Sequence, residues 1–112
     1  MIDPTSSLIV RALDGLSVRE TATAENIANA NSPNYRPLRV TFEDALAAAA
    51  RRGDGSLQSV QPHIGGAPPG ERLRLDLELA TASATALRYA ALTDLLGRQL
   101  QIETLAITGN AS

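Results

Sequence analysis

Residues 77–108 read LELATASATALRYAALTDLLGRQLQIETLAIT. Leu79, Ala82, Ala86, Tyr89, Thr93, Leu96, Leu100, Glu103 and Ile107 recur at alternating spacings of three and four, which keeps them on one face of an α-helix. A flanking line of Leu92, Leu95, Ile102 and Ala106 widens that face beyond a two-stranded seam. The pattern predicts a helix from about Leu77 to Thr108, with Asp76 as N-cap and Gly109-Asn110 as its stop. Just upstream, Leu73, Leu75, Leu77 and Leu79 alternate with Arg72, Arg74, Asp76 and Glu78, a period of two that alone describes a strand. The helical pattern that follows makes Arg72–Leu75 an extended lead-in.

A second helix is written at the other end of the chain. Asp3 has the side chain of an N-cap, and Pro4 suits the first helical position, where its missing N–H costs nothing. Ile9, Leu13, Leu16, Glu20, Thr23, Ile27 and Ala30 again alternate at four and three, a seam with two polar interruptions. Gly15 lies inside it, at a propensity cost of about 1 kcal/mol relative to Ala. The helix is expected over about 4–30, since Pro33 turns Ser32 away from helical geometry. Each helix would be roughly 40–45 Å long. No single partner helix covers a face of that length and breadth, so oligomerisation is expected.

The region between them, about 31–72, has a different composition. Leu38, Val40 and Phe42 alternate as in a short strand, and Glu43–Arg52 is an Ala-rich short helix with carboxylates in its first turn. Residues 52–56 form a turn, Leu57–Val60 is a candidate partner for the strand, and residues 64–71 are rich enough in Gly and Pro to serve as a flexible connector. The chain is one small, mainly α domain of 112 residues.

Composition removes several classes of function. There is no cysteine, and His63, the one histidine, sits in a loop between Pro and Gly, which leaves neither thiol chemistry nor a zinc site. No phosphate-binding glycine motif opens a helix, and no catalytic constellation is present, so the chain is expected not to be an enzyme and to need no cofactor. A net charge of −2 without a basic stripe argues against nucleic acid. No cleavable signal peptide or membrane span is evident. Apolar content is 44%, yet it rests on leucine and nineteen alanines, with one Phe and two Tyr. Alanine buries little area, so a weak solitary core is expected. Asn110-Ala111-Ser112 matches a glycosylation tripeptide but carries no weight at a chain end.

What remains is the segment Ala24-Glu25-Asn26-Ile27-Ala28-Asn29-Ala30-Asn31-Ser32-Pro33-Asn34-Tyr35. Asparagine competes for nearby backbone groups and is a poor helix-interior residue. Asn26 and Asn29 share a face, Asn31 is placed to cap the departing helix, and Asn34 suits a left-handed turn position. Tyr35 adds a large apolar body with a hydroxyl. The segment resembles the N-terminal signature of the bacterial flagellar axial proteins (rod, hook and hook-associated), approximately A-x-N-I-A-N-x-x-T-P-G-Y, with Ser32 for Thr and Asn34 for Gly. Phe42-Glu43-Asp44-Ala45-Leu46, Leu73–Leu79 and Ala86-Leu87-Arg88-Tyr89-Ala90-Ala91-Leu92 are similar to stretches of the proximal-rod, FlgB-type members. Together the matches cover roughly residues 5–46 and 73–107.

The resemblance implies an axial-protein core domain in which the N- and C-terminal helices pair as an antiparallel coiled-coil hairpin around a short irregular or β-hairpin middle. It implies a structural subunit that polymerises helically into the rod within the basal body, exported by the flagellar type III apparatus without a cleavable signal. Its partners would be other copies of itself, other rod proteins, and the membrane-ring and export-gate proteins. No small-molecule substrate is implied. By position, Asn26, Ile27, Asn29, Asn31, Pro33 and Tyr35 form the assembly signature. Ile9, Leu13, Leu16, Leu79, Leu87, Arg88, Tyr89, Leu96 and Leu100 form the coiled-coil and interaction set, with Tyr89 in the seam and Arg88 facing outward. The competing reading is a cytoplasmic helical-hairpin dimer acting as an adaptor or regulator, which explains the two seams but not the Asn-Pro-Tyr segment.

Overall fold

The computed structural model describes residues 3–111, and Ser112 of the C-terminal tripeptide lies outside them. In chain order the elements are α1 (Pro4–Ala28), β1 (Leu38–Thr41), α2 (Glu43–Arg52), β2 (His63–Gly66) and α3 (Leu75–Ala111). A 3-10 turn at Ser56–Ser59 lies between α2 and β2. The molecule is a flat rod, 64 × 26 × 15 Å.

α1 begins as its sequence dictates. Asp3 accepts the Ser6 backbone N–H at 2.9 Å and Pro4 opens the first turn. That N–H is the chief reason the Asp3 carboxyl is held below its usual range. α3 runs antiparallel to α1. Ser6 Oγ donates to Glu103 Oε1 at 2.8 Å near one end, and Asn26 Nδ2 donates to Glu78 Oε2 at 3.0 Å near the other. At 37 residues against 25, α3 is about 55 Å long and α1 about 37 Å, so the C-terminal end of α3 projects past its partner.

The row of α3 that meets α1 keeps Ala82, Leu96 and Glu103 of the row counted from sequence, and Leu92 of its flanking line, but is turned away from the other members. Glu78 and Thr85 are buried, and Ala82, Leu92, Leu96, Gln99 and Glu103 are half-buried, whereas Leu79 and Leu100 are exposed. The inward row is fixed by partners on α1. Besides the two bonds at its ends, Gln99 Nε2 donates to Asp3 Oδ2 at 3.0 Å. The helix also starts earlier than its expected Asp76 cap. It opens at Leu75, and the Glu78 N–H bonds the Arg74 carbonyl at 3.0 Å, so the Arg72–Leu79 alternation is partly helical. Gly109 does not stop it, because α3 continues to Ala111.

The apolar core lies between α1, β1 and α2 rather than between the long helices. Leu16, Ala22, Val40, Phe42 and Leu46 form it, with Leu8, Val18, Leu38 and Leu92 packed at its margin. Gly15 explains itself here: a Cβ at this position would stand 2.6 Å from the Phe42 ring. β1 pairs antiparallel with β2, Leu38 opposite Gly66 and Thr41 opposite His63, rather than with Leu57–Val60. That segment is diverted into the 3-10 turn, where Asp54 accepts the Ser56 N–H at 3.0 Å and Gly55 takes φ 84°. Residues 64–66, expected as connector, are therefore strand, and His63 is an exposed strand residue.

Candidate functional site

α1 ends at Ala28, and the exit of the chain is built from the asparagine segment. Asn29, not Asn31, is the C-cap. Its N–H reaches the Glu25 and Asn26 carbonyls at 3.1 and 3.2 Å, and its Nδ2 donates to the Glu25 carbonyl at 2.9 Å. Ser32 Oγ then donates to Asn29 Oδ1 at 3.0 Å. Ser32-Pro33-Asn34-Tyr35 is a turn closed by Tyr35 N–H to the Ser32 carbonyl at 3.3 Å. Pro33 sets its second position and Asn34 its third, at φ 61°, the left-handed site a type II turn requires. Asn34 thus occupies the one position where glycine or asparagine is specifically favoured. Asn31, Ser32 and Pro33 are exposed, and Ile27 is half-buried beneath them.

Asn26 behaves differently from its neighbours. It is 1% exposed, and its amide is fully used. Nδ2 donates to the Leu38 carbonyl and to Glu78 Oε2, each at 3.0 Å. Oδ1 accepts the Leu38 N–H at 2.8 Å and the Tyr35 hydroxyl at 2.9 Å. A primary amide has two N–H donors and two acceptor lone pairs, so nothing is left for a fifth partner. The bonds to both polar groups of Leu38 copy a strand's ladder, with a side chain of α1 in place of a third strand. Burial, then the negative charges of Glu25 and Glu78, push the Tyr35 phenol up, which keeps it a donor.

Glu78 ties this amide to α3. It is 5% exposed and also accepts from Arg39 Nη1 at 3.1 Å, while Arg39 Nη2 bonds Glu71 at 2.8 Å. Two helical turns before Asn26, Arg19 secures the other end of β1. Its guanidinium meets Glu43 in a fork at 2.6 and 2.8 Å, donates to the Val40 carbonyl at 2.7 Å, and lies 4.9 Å above the Phe42 ring. Those bonds are the chief cause that holds the Glu43 carboxyl down at about 2. Arg19, Asn26 and Glu78 therefore fasten the middle region to both long helices.

Of the signature residues, the structure joins Asn26 and Tyr35 directly and places Asn29 in the cap. Asn31 and Pro33 stay on the surface. Among the interaction set, Ile9 and Leu16 are buried, Leu13 and Leu96 are half-buried, and Tyr89 lies at the edge of the seam. Leu79, Leu87, Arg88 and Leu100 are exposed, with Arg88 at the rim of an open cleft shared with Leu8, Ala12 and Leu16 of α1. Sequence reading missed Arg19, Arg39 and Glu78. Two signals were there to find: Arg19 and Asn26 lie seven residues apart, as do Glu78 and Thr85. Among the described residues no group of His, Cys, Asp and Glu is placed to hold a metal, and no helix is long and apolar enough to cross a membrane. What this arrangement can do is mechanical: it fixes the direction in which the chain leaves α1.

A 36-residue stretch of the chain is 50% identical to the flagellar basal body rod protein FlgB of Borrelia hermsii. That stretch is 32% of this chain, and it spans about a quarter of the relative, 27% of its length. No protein-family model matches the chain.

Proposed function

We propose that this chain is a structural subunit of the flagellar basal-body rod, of the proximal-rod FlgB type, and not an enzyme. The observation that carries the reading is the exit turn. The residues that resemble the axial signature close one hydrogen-bonded unit, with Asn26 saturated inside it and Asn31 and Pro33 on its surface. The similarity to a rod protein over about a third of the chain supports the same reading. So does the shape of the molecule, a thin helical hairpin whose longer helix leaves large apolar side chains in water.

In this reading copies of the chain stack helically with one another and with other rod proteins, between the membrane-ring and export-gate proteins and the distal rod. The subunit reaches that site through the flagellar type III apparatus. Asn26 acts within the subunit, by setting the chain's exit, and the exposed turn at residues 31–34 meets neighbours. The test is complementation of a non-motile strain lacking its own rod subunit. The parent chain is expected to restore swimming. A variant carrying Asn26→Ala and Asn29→Ala is expected to be exported in equal amount but to leave rods unassembled. Normal swimming of that variant would refute the reading. A stable, cooperatively melting helical dimer that neither restores motility nor joins rod proteins would favour the adaptor.

A further inference from the structure

Gly97 lies inside α3 as Gly15 lies inside α1, but in different surroundings. A Cβ at Gly15 would meet the Phe42 ring, whereas a Cβ at Gly97 would find nothing beyond its own stretch of helix within 4 Å. Packing therefore gives no reason for glycine at 97, and glycine is the poorest helix former after proline. The position divides α3 into two unequally held parts. Before it, Glu78 and Thr85 are buried, Ala82 and Leu96 are half-buried, and Leu92 packs at the margin of the apolar core. Beyond it, Leu100, Ile102, Leu105 and Ile107 are all exposed, the last two at 70% and 72%.

Residues 98–111 form an arm about 21 Å long. Side-chain hydrogen bonds tie it to the first turn of α1. Gln99 Nε2 donates to Asp3 Oδ2 at 3.0 Å, and Ser6 Oγ donates to Glu103 Oε1 at 2.8 Å. Gln99 and Glu103, four residues apart, share a face of α3, and Asp3 and Ser6 stand three apart where α1 begins, so the four make one clasp. Arg98 pairs with Asp94 across Gly97 at 3.1 Å, but both side chains are largely exposed and such a pair adds little.

We infer that residues 98–111 are a hinged arm: when the clasp opens, α3 bends at Gly97 and the arm leaves α1, while the part before Gly97 stays docked. The bend falls at Gly97 because helical preference is weakest there and no packed side chain has to be displaced. The clasp sets the balance, since both its bonds are only partly buried and water replaces them as the arm lifts. The released arm stays helical because it continues a helix already formed and needs no new nucleus. Closed, Glu103 satisfies the hydroxyl of Ser6, a residue with 0% exposure. Open, the arm re-aims Leu100, Ile102, Leu105 and Ile107 relative to the rest of the molecule. The device stands on this geometry alone and is independent of the rod reading.

The experiment uses the dilute full chain, which has no cysteine of its own. Spin labels on Asp14→Cys in α1 and Leu105→Cys in the arm, both at exposed positions, report the distance between them. The labelled parent is expected to give chiefly one distance, that of the closed arm. Opening the clasp with Ser6→Ala and Gln99→Ala together is expected to raise a second, distinct population about tenfold, with the helical circular dichroism unchanged. Gln99→Ala alone, which leaves buried Ser6 in place, is expected to raise it about threefold. Gly97→Ala added to either is expected to lower it again about fivefold. A single unchanged distance in both clasp variants, a second population that Gly97→Ala leaves unaltered, or a loss of helical signal as that population rises in Gln99→Ala would overturn the proposal.

Discussion

The exit turn and the outer face of α3 use the same chain in opposite ways. At the turn the buried polar side chains find partners within the molecule, and Asn26 alone satisfies four. Along α3, Glu78, Thr85, Gln99 and Glu103 face inward to α1, while Leu87, Leu95, Ile102 and Leu105 are exposed. The turn is closed by bonds within the chain, whereas the outer face of α3 is open to water. Their difference separates residues whose bonds shape the fold from residues left open to solvent.

The comparison can be broken most forcefully at Asn26. Asn26→Ala leaves the Leu38 N–H and carbonyl, the Tyr35 hydroxyl and buried Glu78 each short of a partner. The expected loss is about 2–4 kcal/mol in denaturant unfolding of the dilute chain. A loss near zero would mean the turn is held by something else. Gly15→Ala comes next. In an exposed helix this change stabilises by about 1 kcal/mol. Here the new methyl meets the Phe42 ring, and a net loss of about 1–3 kcal/mol is expected by the same measurement. A gain would show that the ring can move aside without cost.

Smaller effects sharpen the contrast. Leu87→Ser removes a large apolar group from α3, yet it is expected to shift the stability of the dilute monomer by no more than about 0.5 kcal/mol. A larger loss would place Leu87 inside the subunit after all. The smallest effect belongs to the Arg19–Glu43 fork. With its folded value lowered to about 2 from 4.5, Glu43 stabilises the fold fully above its unfolded value, and that contribution is lost as pH falls through about 2. The carboxylate is half exposed, so the term is about 0.2–1 kcal/mol. Acid titration of the parent and of Glu43→Gln should diverge above pH about 5 and converge only at pH about 2 and below.

The parts of the fold that depend on local chemistry were readable in the chain. Asp3 and Pro4 open α1, Leu38 and Val40 lie in β1, and Pro33 with Asn34 makes the turn. What escaped was choice among equivalent stripes. α3 is apolar on nearly every side, so counting leucines leads to Leu79 and Leu100, while the seam is decided by long-range hydrogen bonds from Ser6 and Asn26 to Glu103 and Glu78. Strand pairing failed similarly, because Leu57–Val60 and His63–Gly66 are both short and only one escapes the 3-10 turn. At the site, the asparagine cluster was visible, but the division of labour was not. Burial of Asn26 requires Leu38 and Glu78, which lie 12 and 52 residues away.

Amide hydrogen exchange at Leu38 tests the central claim most directly. Its N–H lies on a strand edge with no strand beyond it and is held by Asn26 Oδ1 at 2.8 Å. The account predicts slow exchange at Leu38 in the parent chain, and exchange at open-loop rates in Asn26→Ala with α3 amides near Leu87 unchanged. Open-loop exchange at Leu38 in the parent would contradict it.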